Sequence, residues 1–158
     1  MILVFIVACS RRSGPDVQFV AGRVLLDGQL LAKADVGFNP ASDSAVAAGG
    51  QTDAKGVFNL TSARAGSRGR GAIVGAYVVT IRKYRNRVED LDPSPDPQKD
   101  PEGAAKWQSE AASLNRLPPE SLIPAPYGNA ATSPLRAEVK KGRNTFTFEL
   151  SKDFTPAK

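Results

Sequence analysis

Short runs in which apolar and polar residues alternate one for one recur along this chain, and that period of two restricts the fold more than any other feature. Successive side chains of a strand point to opposite faces of its sheet, so alternation marks a strand with one face buried. Phe146, Phe148 and Leu150 alternate with Thr145, Thr147 and Glu149, and just upstream Leu135, Ala137 and Val139 alternate with Arg136, Glu138 and Lys140. The intervening stretch Lys140-Lys141-Gly142-Arg143-Asn144 reads as a turn, so the two runs predict a terminal hairpin.

The same period recurs upstream. Val20, Gly22, Val24 and Leu26 alternate with Ala21, Arg23 and Leu25, and Asp27-Gly28 then supplies a strong hairpin-turn signal. Ala34, Val36 and Phe38 form another run, which Pro40 stops. A weak edge strand is expected near residues 45–51. Asp53 to Gly56 predicts a tight turn into Phe58 and Leu60, because an aspartate side chain can bond to the backbone and glycine tolerates positive φ. Residues 62–72, rich in Gly, Arg and Ser, predict an exposed loop. Tyr77, Val79 and Ile81 then share one face, opposite Thr80 and Arg82, with Val78 breaking the rule.

From Arg85 to Ser121 the alternation vanishes. Prolines interleaved with charges predict extended chain there. One helix is expected inside this insert, with Asp100 as its cap, Pro101 at its first position, and Ala104, Trp107, Ala111 and Leu114 at helical spacing. Trp107 is expected to anchor that helix on the β core. The strand and turn count predicts an all-β chain: one antiparallel seven-stranded β-sandwich over residues 17–151, with insert 85–121 carrying the short helix and a tail at 152–158. Its expected inward set is Val24, Val36, Phe38, Phe58, Leu60, Tyr77, Val79, Ile81, Val139, Phe146, Phe148 and Leu150. At about 1.5–3 kcal/mol for each large buried side chain, such a set offsets much of the entropy lost on ordering the chain.

Read in order, "VAGRVLLDGQLLAKADVGFNP", "GGQTDAKGVFNL" and "GAYVVTIRK" resemble the carboxypeptidase regulatory-like and transthyretin-like β-sandwich domains. The shared pieces are a glycine-valine strand, an Asp-Gly turn, an Ala-x-Val-x-Phe strand, a Thr-Asp-x-x-Gly-x-Phe segment and a Gly-x-Tyr-x-Val strand. "LIPAPYGNAATSPLRAEVKKGRNTFTFEL" resembles more narrowly the small lipoprotein-like members of this class from planctomycete bacteria. The resemblance covers residues 18–84 and 122–150 and implies a transthyretin-like or immunoglobulin-like sandwich serving as a noncatalytic accessory module. The class also includes a hydrolase of 5-hydroxyisourate, whose activity relies on histidines, and this chain has none.

The chemistry within reach is narrow. Without histidine the commonest general base and metal ligand is missing, and a single cysteine forms no intrachain disulfide. No H-E-x-x-H-type motif occurs, and "GSRGRG" lacks the Gly-Lys-Ser/Thr ending of a phosphate-binding loop. Asp43 and Asp53 are too few for calcium, and Asp90, Asp92, Asp96 and Asp100, held apart by prolines, read as a solvated linker. The expectation is therefore no catalytic residue, no metal and no cofactor.

The N-terminus points to the membrane. Ile6-Val7-Ala8-Cys9 resembles the bacterial lipobox, in which an apolar, a variable and a small residue precede a cysteine that is diacylated; the match carries to Ile6, Ala8 and Cys9. Residues 1–8 read as a truncated signal-like apolar segment and 9–16 as a tether. No Lys or Arg precedes the apolar run, and eight residues fall short of a signal peptide, so a start further upstream is expected. A spanning helix would need about 18 consecutive apolar residues. The expected place is thus the cell envelope, membrane-anchored through Cys9 and facing the periplasm or exterior.

A net charge of +5 suits an anionic surface without naming one. Arg68 and Arg70, the centre of a basic cluster, are candidate contacts for lipid headgroups or polysaccharide. Trp107 and Tyr127 are candidates for stacking on sugars, which makes a carbohydrate-binding module the alternative to an accessory module of undefined ligand. Expected partners are the membrane, through the lipid anchor, and an envelope protein or polysaccharide; nucleic acid is not expected. In "LIPAPYGN" the prolines at 124 and 126 predict an extended return path, pinned to the core by Tyr127.

Overall fold

The structure is a computed structural model, in which residues 17–42, 46–62 and 69–154 are described. In chain order these form β1 (Val17–Gln18), β2 (Val20–Leu26), β3 (Gln29–Leu30), β4 (Asp35–Pro40), β5 (Ala48–Gln51), β6 (Val57–Asn59), β7 (Thr61–Ser62), β8 (Ala72–Ile73), β9 (Gly75–Arg82), α1 (Pro101–Asn115), β10 (Arg136–Val139) and β11 (Asn144–Leu150). Two single 3₁₀ turns, Arg87–Asp90 and Ala125–Gly128, complete the set. The described chain is mostly β with one α-helix, as the alternation requires, although it has eleven strand segments rather than seven because several edges carry two-residue strands.

Five strands form one sheet in the order β10-β9-β4-β5-β7, all antiparallel. The segment expected as an edge, β5, is an inner strand of that sheet, paired with β4 on one side and β7 on the other. In the second sheet β2 lies between β11 and the pair β3 and β6. The β2–β3 hairpin turns on Asp27 at φ 50° and Gly28 at φ 77°, two successive left-handed residues as a type I′ turn demands. A short third pair joins β1 to β8.

The terminal hairpin does not form. β10 adds to β9 in the first sheet, whereas β11 pairs in parallel with β2 in the second, so the purely antiparallel expectation fails at this strand. Residues 140–144 are an arch that crosses between sheets. Asn144 holds it: its Nδ2 donates to Lys140 O at 2.8 Å and to Gly142 O at 3.2 Å, and its Oδ1 accepts from Lys140 N at 2.9 Å. Period two dictates which face of β11 is buried, but it carries no information about which neighbour supplies the ladder.

One core joins the sheets. The ring of Phe38, on β4, meets Tyr77 at 5.6 Å within its own sheet and Phe58, Phe146 and Phe148 at 6.4, 5.7 and 6.1 Å across from it. Of the twelve residues expected to face inward, eleven are buried and Phe146 is half-buried. Gly22 of β2 leaves room for this packing, since a Cβ there would lie 2.6 Å from Phe58 Cζ. Leu31, Ile123 and Tyr127 join the same core from outside the strands.

The insert folds as a unit on a two-stranded neck. Tyr84 and Ser121 form an antiparallel bridge, with Arg85 N donating to Glu120 O at 2.9 Å and Leu122 N to Lys83 O at 2.8 Å. The Asp100 carboxylate caps α1 by accepting from Gly103 N at 2.8 Å, and Pro101 opens the helix, as its sequence predicts. Trp107, however, does not reach the β core. Its Nε1 donates to Asp92 O at 2.8 Å, so it fastens the helix to the proline-rich segment before it. Helical spacing defines the face of α1 but not the surface that face meets.

The return path also differs from expectation. Ala125–Gly128 is a 3₁₀ turn rather than extended chain, because the fixed φ of Pro126 suits a tight helical turn as well as an extended strand. Tyr127 is buried, its hydroxyl accepts from Ser151 N at 3.2 Å, and its ring meets Phe154 edge-on. Phe154 thereby extends the packed domain into what the sequence assigns to the tail. Ser133 Oγ donates to Val79 O and Val79 N donates to Leu135 O, which seats β10 against β9.

Candidate functional site

Only part of the expected site lies in the described residues. Cys9 and Arg68 fall outside them, as do the apolar segment 1–8 and the tether 9–16. Arg70 is exposed and bridges Thr61 through its backbone, near the end of the first sheet where β5 and β7 meet. Tyr127 presents no ring face to a ligand, because it is 5% exposed and packed on the core. Trp107 is half-buried and lines a groove of about 410 Å³ with Asp92, Pro93, Pro95, Lys106 and Glu110. The structure therefore keeps Trp107 as a surface feature and separates it from Arg70 and Tyr127.

A residue that sequence reasoning assigned no sugar-binding role lines a groove that shares a wall with the one at Trp107. Tyr84 is 48% exposed and sits just past the end of β9, where the antiparallel bridge to Ser121 fixes its backbone. It lines two depressions. One, of about 290 Å³, contains Arg82, Ile123 and Gly128; the other, of about 390 Å³, contains Lys33, Asp35, Gln51, Arg85 and Glu89. Asp90 lines both this second groove and the Trp107 groove, so the depressions adjoin along the neck of the insert. The only sequence signal was the end of an alternating strand in an exposed tyrosine; the neck that makes it a platform depends on residues 37 positions apart.

Polar couples surround Tyr84. Gln51 Nε2 donates to Asp35 Oδ1 at 2.9 Å, Lys33 Nζ pairs with Glu89 Oε1 at 2.8 Å, and Arg85 Nε with Asp90 Oδ2 at 3.1 Å. Arg87 adds a pair with Glu120 across the neck at 3.4 Å. The hydrogen bond from Lys33 holds the Glu89 carboxyl below the usual glutamate range, helped by Asn86 and by the lysine's charge. The charge distribution is uneven: the insert carries eight acidic and five basic residues, the remainder eight and sixteen. Of these ion pairs only Lys33–Glu89 joins the insert to the β body, through the 3₁₀ turn; Arg85–Asp90 and Arg87–Glu120 lie within the insert at its neck.

Scanned against protein-family models, curated proteins and solved structures, the chain finds no match. The site must be judged on its own geometry. Among the described residues no group of three or more His, Cys, Asp or Glu side chains is placed to hold a metal ion, and no helix is long and apolar enough to cross a membrane. Among the described residues the one buried ionisable group with a raised pKa is Tyr77, pushed up by burial; its hydroxyl donates to Ile73 O at 2.8 Å. What the face around Tyr84 offers is an aromatic surface and a ring of ordered hydrogen-bonding groups, which is equipment for binding.

Proposed function

We propose that this chain is a noncatalytic cell-envelope lipoprotein, tethered by a diacylated Cys9 and presenting a β-sandwich accessory module of the carboxypeptidase regulatory-like, transthyretin-like type. The observation that carries the module reading is the fastening of the insert: a bridge at Tyr84 and Ser121 and an ion pair between Lys33 and Glu89 set an ordered face on the β body. In this reading β2, β4, β5, β6, β9, β10 and β11 are the seven strands of the sandwich, and the two-residue strands are trimmings at its edges. The two sheets sharing the Phe38 cluster support that assignment. Glu89 and Asp90 are engaged with Lys33 and Arg85, and Glu89 is held ionised, which suits recognition better than proton transfer.

The anchor is tested in a bacterial host, with a complete export signal placed ahead of residue 1. Wild-type protein is expected in the detergent phase on partitioning, and Cys9→Ala in the aqueous phase. A single acyl chain binds membranes marginally, so the readout depends on the diacylated form. Equal partitioning of the two proteins would refute the tether while leaving the module reading to be judged by its own binding.

A further inference from the structure

The groove beside Tyr84 carries a more specific inference, which rests on the accessory-module reading and deepens it. We propose that this face binds a neutral oligosaccharide, with Tyr84 as the central stacking platform and Trp107 as a second one. A pyranose ring has an apolar face of C–H groups and an equatorial rim of hydroxyls, so it asks for an exposed aromatic ring set among planar hydrogen-bonding groups. Tyr84 is the most exposed aromatic among the described residues, and its backbone is held by the Ser121 bridge. Tyrosine and tryptophan supply such contact area with few rotatable bonds to freeze.

The surrounding couples provide the rim. Asp35–Gln51, Lys33–Glu89 and Arg85–Asp90 are each joined by one hydrogen bond of 2.8–3.1 Å, which leaves further lone pairs and N–H groups on every partner. Each couple brings two polar side chains to the lining of the Tyr84 groove, so adjacent hydroxyls of one sugar ring can engage both partners. The neighbouring Trp107 ring is likewise set, by its hydrogen bond to Asp92 O. Asp90, shared by the two grooves, places both platforms along one path, the arrangement needed by a chain of sugars rather than a single one.

Charge selects the class of sugar. The Tyr84 groove is lined by three bases, Lys33, Lys83 and Arg85, and three acids, Asp35, Glu89 and Asp90. The Trp107 groove has Asp90, Asp92 and Glu110 against Lys106. Phosphate or uronate binding needs surplus positive charge, and this face has none. Both grooves are open and polar-rimmed, unlike the enclosed apolar pocket that holds a small hydrophobic ligand.

The test is affinity electrophoresis of the full chain through gels containing a neutral β-glucan, a neutral mannan or polygalacturonate. Retardation by a neutral polysaccharide is expected, unchanged at about 0.5 M NaCl, where the Debye length is only a few ångströms. Tyr84→Ala and Trp107→Ala should each weaken it about tenfold or more, as removal of a central aromatic contact does, whereas Tyr84→Phe should retain binding and Arg70→Ala should leave it unaltered. Circular dichroism melts of each variant separate lost binding from lost folding. No retardation by either neutral polymer, or retardation only by polygalacturonate and abolished by salt, overturns the proposal. So does binding that survives Tyr84→Ala. Failure here, with Cys9-dependent partitioning intact, removes the glycan and leaves the anchored module standing.

Discussion

Tyr127 and Phe154 meet edge-on with ring centroids 4.9 Å apart, and this contact ties the chain leaving the insert to the residues that follow the last strand. Tyr127 is buried, and its hydroxyl accepts from Ser151 N. Tyr127→Ala should cost about 3–5 kcal/mol, the range for removing a buried aromatic ring. Tyr127→Phe, which loses only the hydrogen bond, should cost about 1 kcal/mol. Urea unfolding of the two variants checks the split, and equal midpoints for wild type and Tyr127→Ala would show that the clasp is not structural.

Gly22 is required by packing. A methyl group there would meet the Phe146 backbone carbonyl oxygen, which cannot move aside, as well as Phe58 Cζ at 2.6 Å and Cε1 at 2.7 Å, at the point where β6 and β11 flank β2. Gly22→Ala should therefore destabilise the fold by about 1–3 kcal/mol through overpacking. Phe58→Leu in the same chain should recover part of the loss by vacating the ring edge; thermal melts of the single and double variants measure the coupling.

Asn144 determines the route between the sheets. Asn144→Ala removes both the donor and the acceptor bonds within the arch and should cost about 1–3 kcal/mol, since the freed backbone groups at Lys140 and Gly142 lose their partner. Asn144→Asp keeps an acceptor for Lys140 N but cannot donate to the two carbonyls, so it should be nearly as damaging. Amide exchange at Lys140, and along β11, reports whether the arch has opened.

The docking of the insert should depend on pH in a definite direction. Lys33 holds the ionised form of Glu89, so the folded chain binds that proton less tightly than the unfolded chain does. Its contribution is present in full above the ordinary glutamate range and is lost as pH falls through the depressed folded value. The pair is exposed, so the effect should be small and should fade in high salt. Protection from hydrogen exchange over residues 86–91, taken relative to the intrinsic rate at each pH, should fall at acid pH in wild type, while Glu89→Gln should show the lowered protection already at neutral pH. Identical exchange in both proteins at neutral pH would exclude a role for this pair in docking.

Much of the core was legible in the chain itself, and the reason is local. Alternation records which side of a strand is dry, and it identified Phe38, Phe58, Tyr77 and Phe148 without knowledge of their neighbours. Asp27-Gly28, Asp53 and Asp100 were equally readable, because a left-handed turn, an aspartate turn and a helix cap are formed within a few residues. The candidate site was less so. Trp107 could be named as an aromatic on a helix, but its partner Asp92 and the exposure of Tyr84 depend on how the insert closes on itself.

The sequence by itself determined the β character, the buried faces, the tight turns and the one capped helix, each set by interactions among residues close along the chain. Tertiary structure alone decided that β10 and β11 part into different sheets, that β11 runs parallel to β2, and that Tyr84 stands exposed beside the neck of the insert. Those outcomes turn on long-range pairings: a strand's two edges offer the same backbone groups to any partner, and only the packing of the Phe38 cluster and the hydrogen bonds of Asn144 select one.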